Sequence, residues 1–558
     1  MNKIYDKLTT LDFAVIAIYL VALLIIGYIA SFKNKKKDET LFMAGNSLNW
    51  YNIGFNMWGT NVGPSSLLAF ASIGYTAGIV GGNFEWYAFV FLLLLAMVFA
   101  PRYIASKVST MPEFMGKRYG KSTQDILAGY ALIKILISWL SLGLFSGGIL
   151  VRQILGIPMW QSTIVLVAFA GLFTFMGGLK AIARVNVFQM LLLIVVSLTL
   201  TFLGLREIGG ISALIDKTPA NFWNLTRPAS DPGYPWHALL LGYPVSAVAF
   251  FCTDQSMVQS VLGAKNLKQG QLGVNFIGWL KVLALPMFIL PGIICYVLYP
   301  NLGDDKLAYM TMVTNLFPSG LNGLVICVLI AVLVATIGSS LNALSTVFTK
   351  DIYVNNINKN ATVKQQINVG RMVVVIGCVL AVLMAIALDN IEGKTLFDIF
   401  QSILGYLAPP LAVTFLLSVF WKRTTKLAVN LILSAGSAVS LFVGMLNLWI
   451  MPPNAGTGKN LWWPHYFLVS FYLFAFLFVS AVIISLLDPN PTTSAMNSKK
   501  DSPDSGIKQN DLDTISDFVE KTENNSEFVL PKTDKQVKIL FALLGLVILS
   551  LYLIFNFH

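Results

Sequence analysis

Apolar stretches of about twenty residues recur along the whole chain and are separated by short polar segments. A membrane-spanning helix needs about 20 predominantly apolar residues, whereas a spanning β-strand would alternate apolar and polar positions. The pattern therefore predicts an all-α polytopic membrane protein with about fourteen transmembrane helices. The predicted spans are residues 11–31, 48–74, 78–101, 125–150, 159–177, 186–205, 236–260, 272–299, 321–349, 368–388, 396–421, 427–449, 465–487 and 536–556.

Lysine and arginine residues between the spans predict an orientation. The group Lys33, Lys35, Lys36 and Lys37 follows the first span, and every second loop after it is denser in positive charge than the loops between. Cytoplasmic loops of membrane proteins carry such an excess, so both termini are predicted to lie outside. We expect a multi-pass protein of the plasma (inner) membrane, in contact with the lipid bilayer.

Composition narrows the function further. Of 558 residues, 56% are hydrophobic and 12% are charged, about half the charged share of a soluble domain. The net charge of +11 is explained by the basic loops, so we expect no nucleic-acid partner. The four cysteines and three histidines show no metal-ligand spacing and no nucleophile–base pair. The sequence therefore predicts neither an enzyme nor an organic cofactor.

Two predicted spans carry glycine and proline in their interiors. The second contains Gly59, Gly63 and Pro64, and the seventh contains Gly242 and Pro244. Proline removes a backbone donor, and unwound backbone at membrane depth is tolerated only where protein or a water-filled cavity satisfies it. Interrupted helices five spans apart indicate a midplane substrate site in a transporter made of two five-helix halves. Two ordinary proline kinks are the alternative.

The ninth span carries a polar stripe. Thr336, Ser339 and Ser340 have the i, i+3, i+4 spacing that places them on one helix face. Hydroxyl groups and unwound carbonyl groups can coordinate a small hard cation, which makes the stripe a candidate ion site. Close packing of helices through small residues is the alternative.

Four other polar residues lie within or at the ends of apolar spans. Glu85 is costly there, at roughly 2.5–3.5 kcal/mol on insertion scales, unless it meets a partner. Lys134 lies toward the cytoplasmic end of its span and is expected to extend its ammonium group to the interface. Asp254 and Gln255 are expected to form helix-end hydrogen bonds rather than to contact a solute.

Six segments together resemble the sodium/solute symporter family, and most closely its sodium/glucose and sodium/inositol cotransporter branch. The resemblance covers about residues 10–450. It implies a leucine-transporter-like fold, with a 5+5 inverted repeat and two broken helices, that binds one solute and sodium near the midplane. The segments are "TMPEFMGKRYG", "GNFEW", "CTDQSMVQSVLGAKN", "GWLK", "STVFTKDIY" and "QSILGYLAPPLAVTFLLSVFWKR".

The resemblance implies a set of solute-binding positions. The matching residues are Asn61, Ser66, Glu85, Trp139, Phe250, Phe251, Lys281 and Gln401. Carboxylate, amide and ammonium groups together suit the hydroxyls of a sugar or polyol. Phe250 and Phe251 replace the Tyr and Trp of the sugar-transporting members, and Ser66 and Trp139 also depart from the residues usual there. These departures leave open a substrate other than glucose or galactose.

The resemblance also implies a sodium site with fewer ligands than usual. Its positions are the backbone carbonyls of Gly59, Val62 and Val332 and the two hydroxyl positions Ala335 and Thr336. Thr336 keeps one hydroxyl and Ala335 supplies none. A family aspartate linked to sodium release or to a second sodium falls on Asn186. Sodium coupling, proton coupling and uncoupled transport all stay open on these residues.

The expected function is sodium-coupled import of a sugar or polyol by alternating access, with one monomer sufficient for transport. An uncoupled or proton-coupled facilitator or a solute sensor on the same fold is the alternative, and a membrane enzyme is a remote one. The predicted division of the chain is 1–47, leading helix with its flanks; 48–205, first repeat; 206–235, extracellular loop; 236–449, second repeat and following helix; 450–487, additional helix; 488–535, flexible polar linker; and 536–558, last helix.

Overall fold

The structure is a computed structural model that describes residues 8–32, 47–62, 64–389, 396–447, 464–489 and 533–556. Regular structure in these residues is helical, apart from two isolated backbone bridges. The predicted linker 488–535 falls largely outside the described residues. The first twelve α-helices are α1 Thr10–Phe32, α2 Trp50–Asn61, α3 Pro64–Ala77, α4 Gly82–Trp86, α5 Ala88–Leu94, α6 Ala100–Ala105, α7 Met111–Tyr119, α8 Lys121–Lys134, α9 Leu142–Leu155, α10 Met159–Ile208, α11 Ile211–Asp216 and α12 Trp236–Ala247.

Twelve further α-helices follow in the described residues. They are α13 Gln255–Leu262, α14 Leu267–Val282, α15 Leu290–Leu298, α16 Ala308–Leu316, α17 Leu321–Val347, α18 Val363–Leu388, α19 Leu396–Leu407, α20 Pro409–Phe420, α21 Lys426–Leu431, α22 Ser437–Met445, α23 Tyr466–Leu487 and α24 Lys535–Ile554. Short π-helical turns join several of them, among them Ile135–Ser141 between α8 and α9 and Val248–Cys252 after α12. The buried centre is α17, against which α1, α2, α10 and α18 pack.

The predicted number of spans is not confirmed. Among the described residues, eight helices are long and apolar enough to cross a membrane, or up to eleven when each bent pair is one span. The largest difference is at α10, where the predicted spans 159–177 and 186–205 form one continuous helix. The segment between the two predicted spans, "GGLKAIAR", stays helical because leucine, lysine, alanine and arginine are strong helix formers that outweigh two glycines.

The first predicted interruption is confirmed. Helix α2 ends at Asn61, and α3 begins at Pro64. Proline is favoured at the first position of a helix because its missing N–H would be unpaired there in any case. The helix end after Asn61 is where carbonyl oxygens become available to partners outside the helix.

The second interruption exists, but its predicted place is wrong. Pro244 lies inside α12, and the chain continues through the π-helical turn Val248–Cys252 before it bends by 44° at Thr253 and Asp254. Asp254 then starts α13, since its side chain accepts a hydrogen bond from Ser256 N at 2.9 Å. The wider π turn accommodates the irregular backbone, and the acidic cap fixes where the new helix starts.

Gly242 serves helix packing rather than a break. A Cβ atom there would lie 2.1 Å from the carbonyl oxygen of Phe467, so α12 and α23 approach backbone to backbone. Gly292 does the same between α15 and α3, where an added Cβ would lie 2.1 Å from the oxygen of Ala71. Close approach through small residues is the usual way in which membrane helices associate.

Two further bent pairs lie in the second half of the chain. Helices α14 and α15 meet at 43°, and the α19 segment from Gln401 meets α20 at 50°. Both bends fall beside prolines, Pro286 in the first pair and Pro409 with Pro410 in the second. The prolines in the sequence therefore indicate both bends, because proline disrupts the regular helix.

Candidate solute and sodium site

The buried charge of Glu85 meets Lys281. The ammonium group of Lys281 donates to Glu85 Oε2 at 2.7 Å and to Asn61 Oδ1 at 2.6 Å. All three residues lie where a helix stops: Asn61 ends α2, Glu85 is in the short α4, and Lys281 is in the last turn of α14. Three helix ends thus bring a carboxylate, an amide and an ammonium group together, as the resemblance predicted.

This ion pair is almost fully enclosed. Glu85 is 5% exposed and Lys281 is 2% exposed. Removing two charges from water costs several kcal/mol each, and their attraction offsets that cost only when geometry and additional hydrogen bonds are good. The two short contacts of Lys281 satisfy this condition. Loss of one partner would leave the other charge buried.

A wall of aromatic rings extends from the ion pair. Lys281 Nζ lies 5.1 Å from the centre of the Phe251 ring, within the range of a cation–π contact. Phe251 packs edge-on against Phe250 at 4.7 Å, and Phe250 packs against Trp139 at 5.0 Å. Three of the predicted solute positions are therefore one continuous apolar surface beside the polar cluster. Such a surface suits the hydrophobic faces of a sugar ring.

The structure gives less information about two of the predicted solute-binding residues, Gln401 and Ser66. Gln401 is buried in α19, which packs against α3, but among the described residues it makes no hydrogen bond to Glu85 or Lys281. Ser66 lies in α3 just after the break, and its side chain is outside the described part of the structure. The contact of Gln401 with a solute stays a prediction.

Lys134 does not extend to the membrane interface, so that expectation is wrong. It is 4% exposed, and its ammonium group lies 2.8 Å from Asp254 Oδ2. Trp139 donates its indole N–H to the same oxygen at 2.9 Å. Lys134 and Asp254 are 120 positions apart in the sequence, and nothing in either local segment reveals their pairing.

The helix-end role expected of Asp254 and Gln255 is confirmed. Asp254 caps α13, as described above. Gln255 accepts from the backbone N–H of Met111 at 3.0 Å and donates to the carbonyl of Ser109 at 3.2 Å. The amide thereby joins the start of α13 to the start of α7.

Three of the predicted sodium ligands converge. The hydroxyl of Thr336 lies 3.0 Å from the carbonyl oxygen of Gly59 and 2.9 Å from that of Val332. Gly59 is in the last turn of α2, at the helix end where carbonyl oxygens become available to partners outside the helix. Three hard oxygen donors from two helices fit a sodium ion. The Val62 carbonyl stays a predicted ligand, and the side chains of Ala335 and Asn186 are outside the described part.

The polar stripe of α17 also takes part in helix packing. Ser339 Oγ is 3.2 Å from Thr60 Oγ1 of α2 and accepts from Gln259 Nε2 of α13 at 3.2 Å. Ser340 donates to the carbonyl of Thr336. Of the two alternatives for the stripe, Ser339 follows packing, whereas Thr336 faces the candidate ion ligands.

A sequence profile for the sodium:solute symporter family matches residues 41–428 of the chain. The chain belongs to this family. It is 31% identical to the mouse sodium/glucose cotransporter 1 over 85% of this chain and 78% of that protein. It is also 31% identical to the human sodium/myo-inositol cotransporter over 87% of this chain and 74% of that protein.

The fold is that of solved transporters. A Na⁺-coupled sialic acid symporter in a substrate-bound, outward-open state superposes with a TM-score of 0.72 at 20% sequence identity. The superposition covers 87% of this chain and 99% of that one. This likeness confirms the all-α, leucine-transporter-like fold of a multi-pass membrane protein.

Proposed function

We propose that the protein imports a sugar or polyol together with sodium by alternating access. The observation that carries the proposal is the buried cluster of Asn61, Glu85 and Lys281 at three helix ends, with the aromatic wall beside it. Carboxylate, amide and ammonium groups can each bond hydroxyls, as acceptors, donors or both. The family relatives that carry glucose or myo-inositol in their names support the same class of solute.

The charges of the cluster favour an uncharged solute. Glu85 and Lys281 cancel each other, and so do Lys134 and Asp254. An anionic sugar acid in this site would need a further cation, because an unpaired charge in an enclosed site is costly. A neutral hexose or cyclitol can exchange its hydroxyls with the existing hydrogen bonds.

Sodium coupling is supported by the arrangement around Thr336. The coupling ion would lie between Gly59, Val332 and Thr336, beside the break that also places Asn61 at the solute site. Binding of sodium would order the end of α2, and Asn61 two residues further on would be held in place for the solute. The whole site comes from one chain, which supports transport by a monomer. The proposed setting is the plasma membrane, with both termini outside as the basic loops predict.

Uptake into liposomes tests this proposal. The purified protein is reconstituted, and a panel of hexoses, cyclitols and sugar acids is offered with and without an inward sodium gradient. We expect sodium-stimulated uptake of at least one neutral member and none of the sugar acids. If no member accumulates under the gradient, the symport proposal fails; if neutral solutes equilibrate equally with and without sodium, the uncoupled facilitator replaces it.

A second double variant controls for loss of transport through misfolding. Lys268 and Asp534 also form an ion pair, at 2.9 Å, but both are exposed, and Lys268 lies in the first turn of α14 whereas Lys281 lies in its last turn. The variant Lys268→Met/Asp534→Asn should keep wild-type uptake. The variant Glu85→Gln/Lys281→Met should lose it at equal protein density.

A further inference from the structure

A second buried ion pair lies beside the aromatic wall. Asp254 is 3% exposed, and its Oδ2 receives both Lys134 Nζ at 2.8 Å and Trp139 Nε1 at 2.9 Å. Lys134 also donates to the carbonyl of Ala249 at 3.2 Å. The other carboxylate oxygen accepts from Ser256 N as the cap of α13. Both charged groups thus have protein partners without any contribution from a solute.

The pair ties the second half of a broken helix to its surroundings. Lys134 is the last residue of α8, and Asp254 sits in the break that starts α13. Helix α13 in turn is bound to α2, because Leu48 and the segment after α13 exchange backbone hydrogen bonds of 3.0 and 3.1 Å. Asn56 of α2 also donates to Ser260 of α13 at 2.7 Å.

These contacts make α2 and α13 one unit, which we name the half-helix pair. Loops predicted to be cytoplasmic flank it: residues 33–47 precede α2, and Lys265 follows α13. The end of α2 and the start of α13 adjoin the candidate site, because Asn61 is the last residue of α2 and Phe251 lies shortly before α13. The half-helix pair therefore lies between the solute site and the face predicted to be cytoplasmic.

We propose that Lys134 and Asp254, with the indole N–H of Trp139, form a latch that holds the half-helix pair against α8. The closed latch blocks the path from the solute site toward that face, and it opens when α13 moves. The inference rests on the proposed transport function and names two positioning residues, Lys134 and Asp254, that are not among the predicted solute or sodium ligands. Trp139 packs on Phe250, so a solute that shifts the aromatic wall also shifts one of the two donors to Asp254 Oδ2.

Native Cys252 reports on the latch. It lies two residues before Asp254, is fully buried, and directs its thiol to the carbonyl of Phe91 at 3.5 Å. Movement of α13 away from α8 would open this position to water. The rate at which a water-soluble maleimide labels Cys252 in the full-length protein, read by peptide mass spectrometry, measures that opening. Cys295, buried in α15, is the internal reference.

Three variants separate a latch from a merely structural ion pair. Asp254→Asn keeps one oxygen, which can still cap α13, but loses the charge and the second oxygen, which accepts from Trp139. Lys134→Met removes the ammonium group, and the double variant leaves no unpaired charge. We expect all three to label Cys252 about tenfold faster than wild type, the change that loss of a charge-assisted hydrogen bond produces in an opening equilibrium. Cys295 should label at its wild-type rate throughout.

The double variant decides, even if a single variant fails to fold. A structural pair would be repaired by removing both charges, so wild-type labelling of Cys252 in the double variant would overturn the latch. The variant Lys268→Met/Asp534→Asn removes an exposed pair of the same kind and should leave the labelling rate unchanged. The assay needs no solute, so faster labelling in a protein that transports nothing would uphold the latch while refuting the proposed function.

Discussion

Glu85 and Lys134 are both charged residues in apolar runs, yet the sequence placed only one of them correctly. The "FEW" and "LK" motifs linked Glu85 to Lys281 through a family resemblance, and the structure joins them at 2.7 Å. Lys134 has no motif of its own, and its partner Asp254 is on another helix. For Lys134 the sequence offered only the general tendency of lysine side chains to reach the membrane interface. The buried ion pair with Asp254 outweighs that tendency.

Loss of one partner of the Glu85–Lys281 pair should cost more stability than loss of both. Glu85→Gln or Lys281→Met alone leaves one buried charge uncompensated, which destabilises by about 3–5 kcal/mol. The double variant should recover most of this loss yet still fail to bind solute. Thermal unfolding in detergent and uptake in liposomes measure the two effects. A double variant with wild-type uptake would show that the pair is structural alone.

Thr336 should control the apparent affinity for sodium. Thr336→Val keeps the shape but removes the only hydroxyl in the convergent set, so half-maximal uptake should need about tenfold more sodium, the effect of losing a hydrogen-bond-strength contact to a charged group. Thr336→Ser is the matched control and should stay near wild type. Ala335→Ser adds a hydroxyl at the other predicted ligand position and should lower the sodium requirement. An unchanged sodium curve in Thr336→Val would move the ion elsewhere.

His465 should make stability depend on pH. Burial lowers the pKa of this histidine to about 4, and the hydrogen bond with the carbonyl of Gly233 opposes the shift only in part. The unfolded chain binds a proton near pH 6.5 and the folded one does not, so stability is lost as the pH falls from about 6.5 toward 4. The loss between pH 7 and 5 should be on the order of 1–2 kcal/mol.

Replacing His465 by a capping residue that does not titrate isolates the pH dependence of stability. His465 caps α23 by accepting from Phe467 N, and asparagine is an equally good capping residue without a titration in this range. Thermal midpoints of wild type and His465→Asn, measured from pH 7 to 5, should diverge as the pH falls, with wild type losing more. Parallel curves would mean that His465 takes up its proton without cost in the folded protein.

At the scale of helices, proline correctly predicted that two helices are broken, but it did not always predict the residue at which the break lies. Pro64 marks the start of α3, as expected, but Pro244 is carried inside α12. The actual break there depends on a π-helical turn and on the capping carboxylate of Asp254. Caps and π turns are decided by contacts with other helices, which a local pattern of glycine and proline does not contain.

The crossing of α3 and α15 gives a prediction at this scale. A Cβ atom on Gly292 would meet the backbone oxygen of Ala71 at 2.1 Å. Gly292→Ala must therefore separate α15 from α3, the second half of the first broken helix. Overpacking of this kind costs about 1–3 kcal/mol, and transport should fall with the displaced helix.

Gly129→Ala is the matched control for this crossing. It lies inside α8 with nothing within 4 Å of an added Cβ, and alanine there should be neutral or stabilising by up to about 1 kcal/mol. Thermal unfolding of the two variants side by side measures the difference. Equal stability would mean that α3 and α15 can separate freely.

At the scale of the molecule, the last helix supports the site from behind. Helix α24 packs on α14, which carries Lys281, and its Tyr552 donates to Asn83 of the helix that carries Glu85. Trp86, next to Glu85, stacks on Phe555 at 5.9 Å. Hydrophobic runs predicted that α24 exists; its place against these two helices is a matter of long-range packing, which hydropathy does not encode.

The same limit applies to the whole fold. Hydrophobic periodicity located the helices to within several residues, and the family motifs supplied their arrangement. The predicted boundary between two spans is absent at α10, where helix-forming residues continue through a short basic segment. The cluster of Asn61, Glu85 and Lys281 was predictable because its residues belong to motifs, whereas the Lys134–Asp254 pair arises only when α8 and α13 meet.

Concentrative uptake of a neutral sugar or cyclitol tests the central claim most directly. Wild type and Glu85→Gln/Lys281→Met are reconstituted at equal density, and the internal solute concentration is followed under an inward sodium gradient that an ionophore can then dissipate. We predict that wild type accumulates solute above the external concentration and releases it when the gradient collapses, while the double variant stays at background. Accumulation that survives loss of the sodium gradient, or that persists in the double variant, would contradict the account.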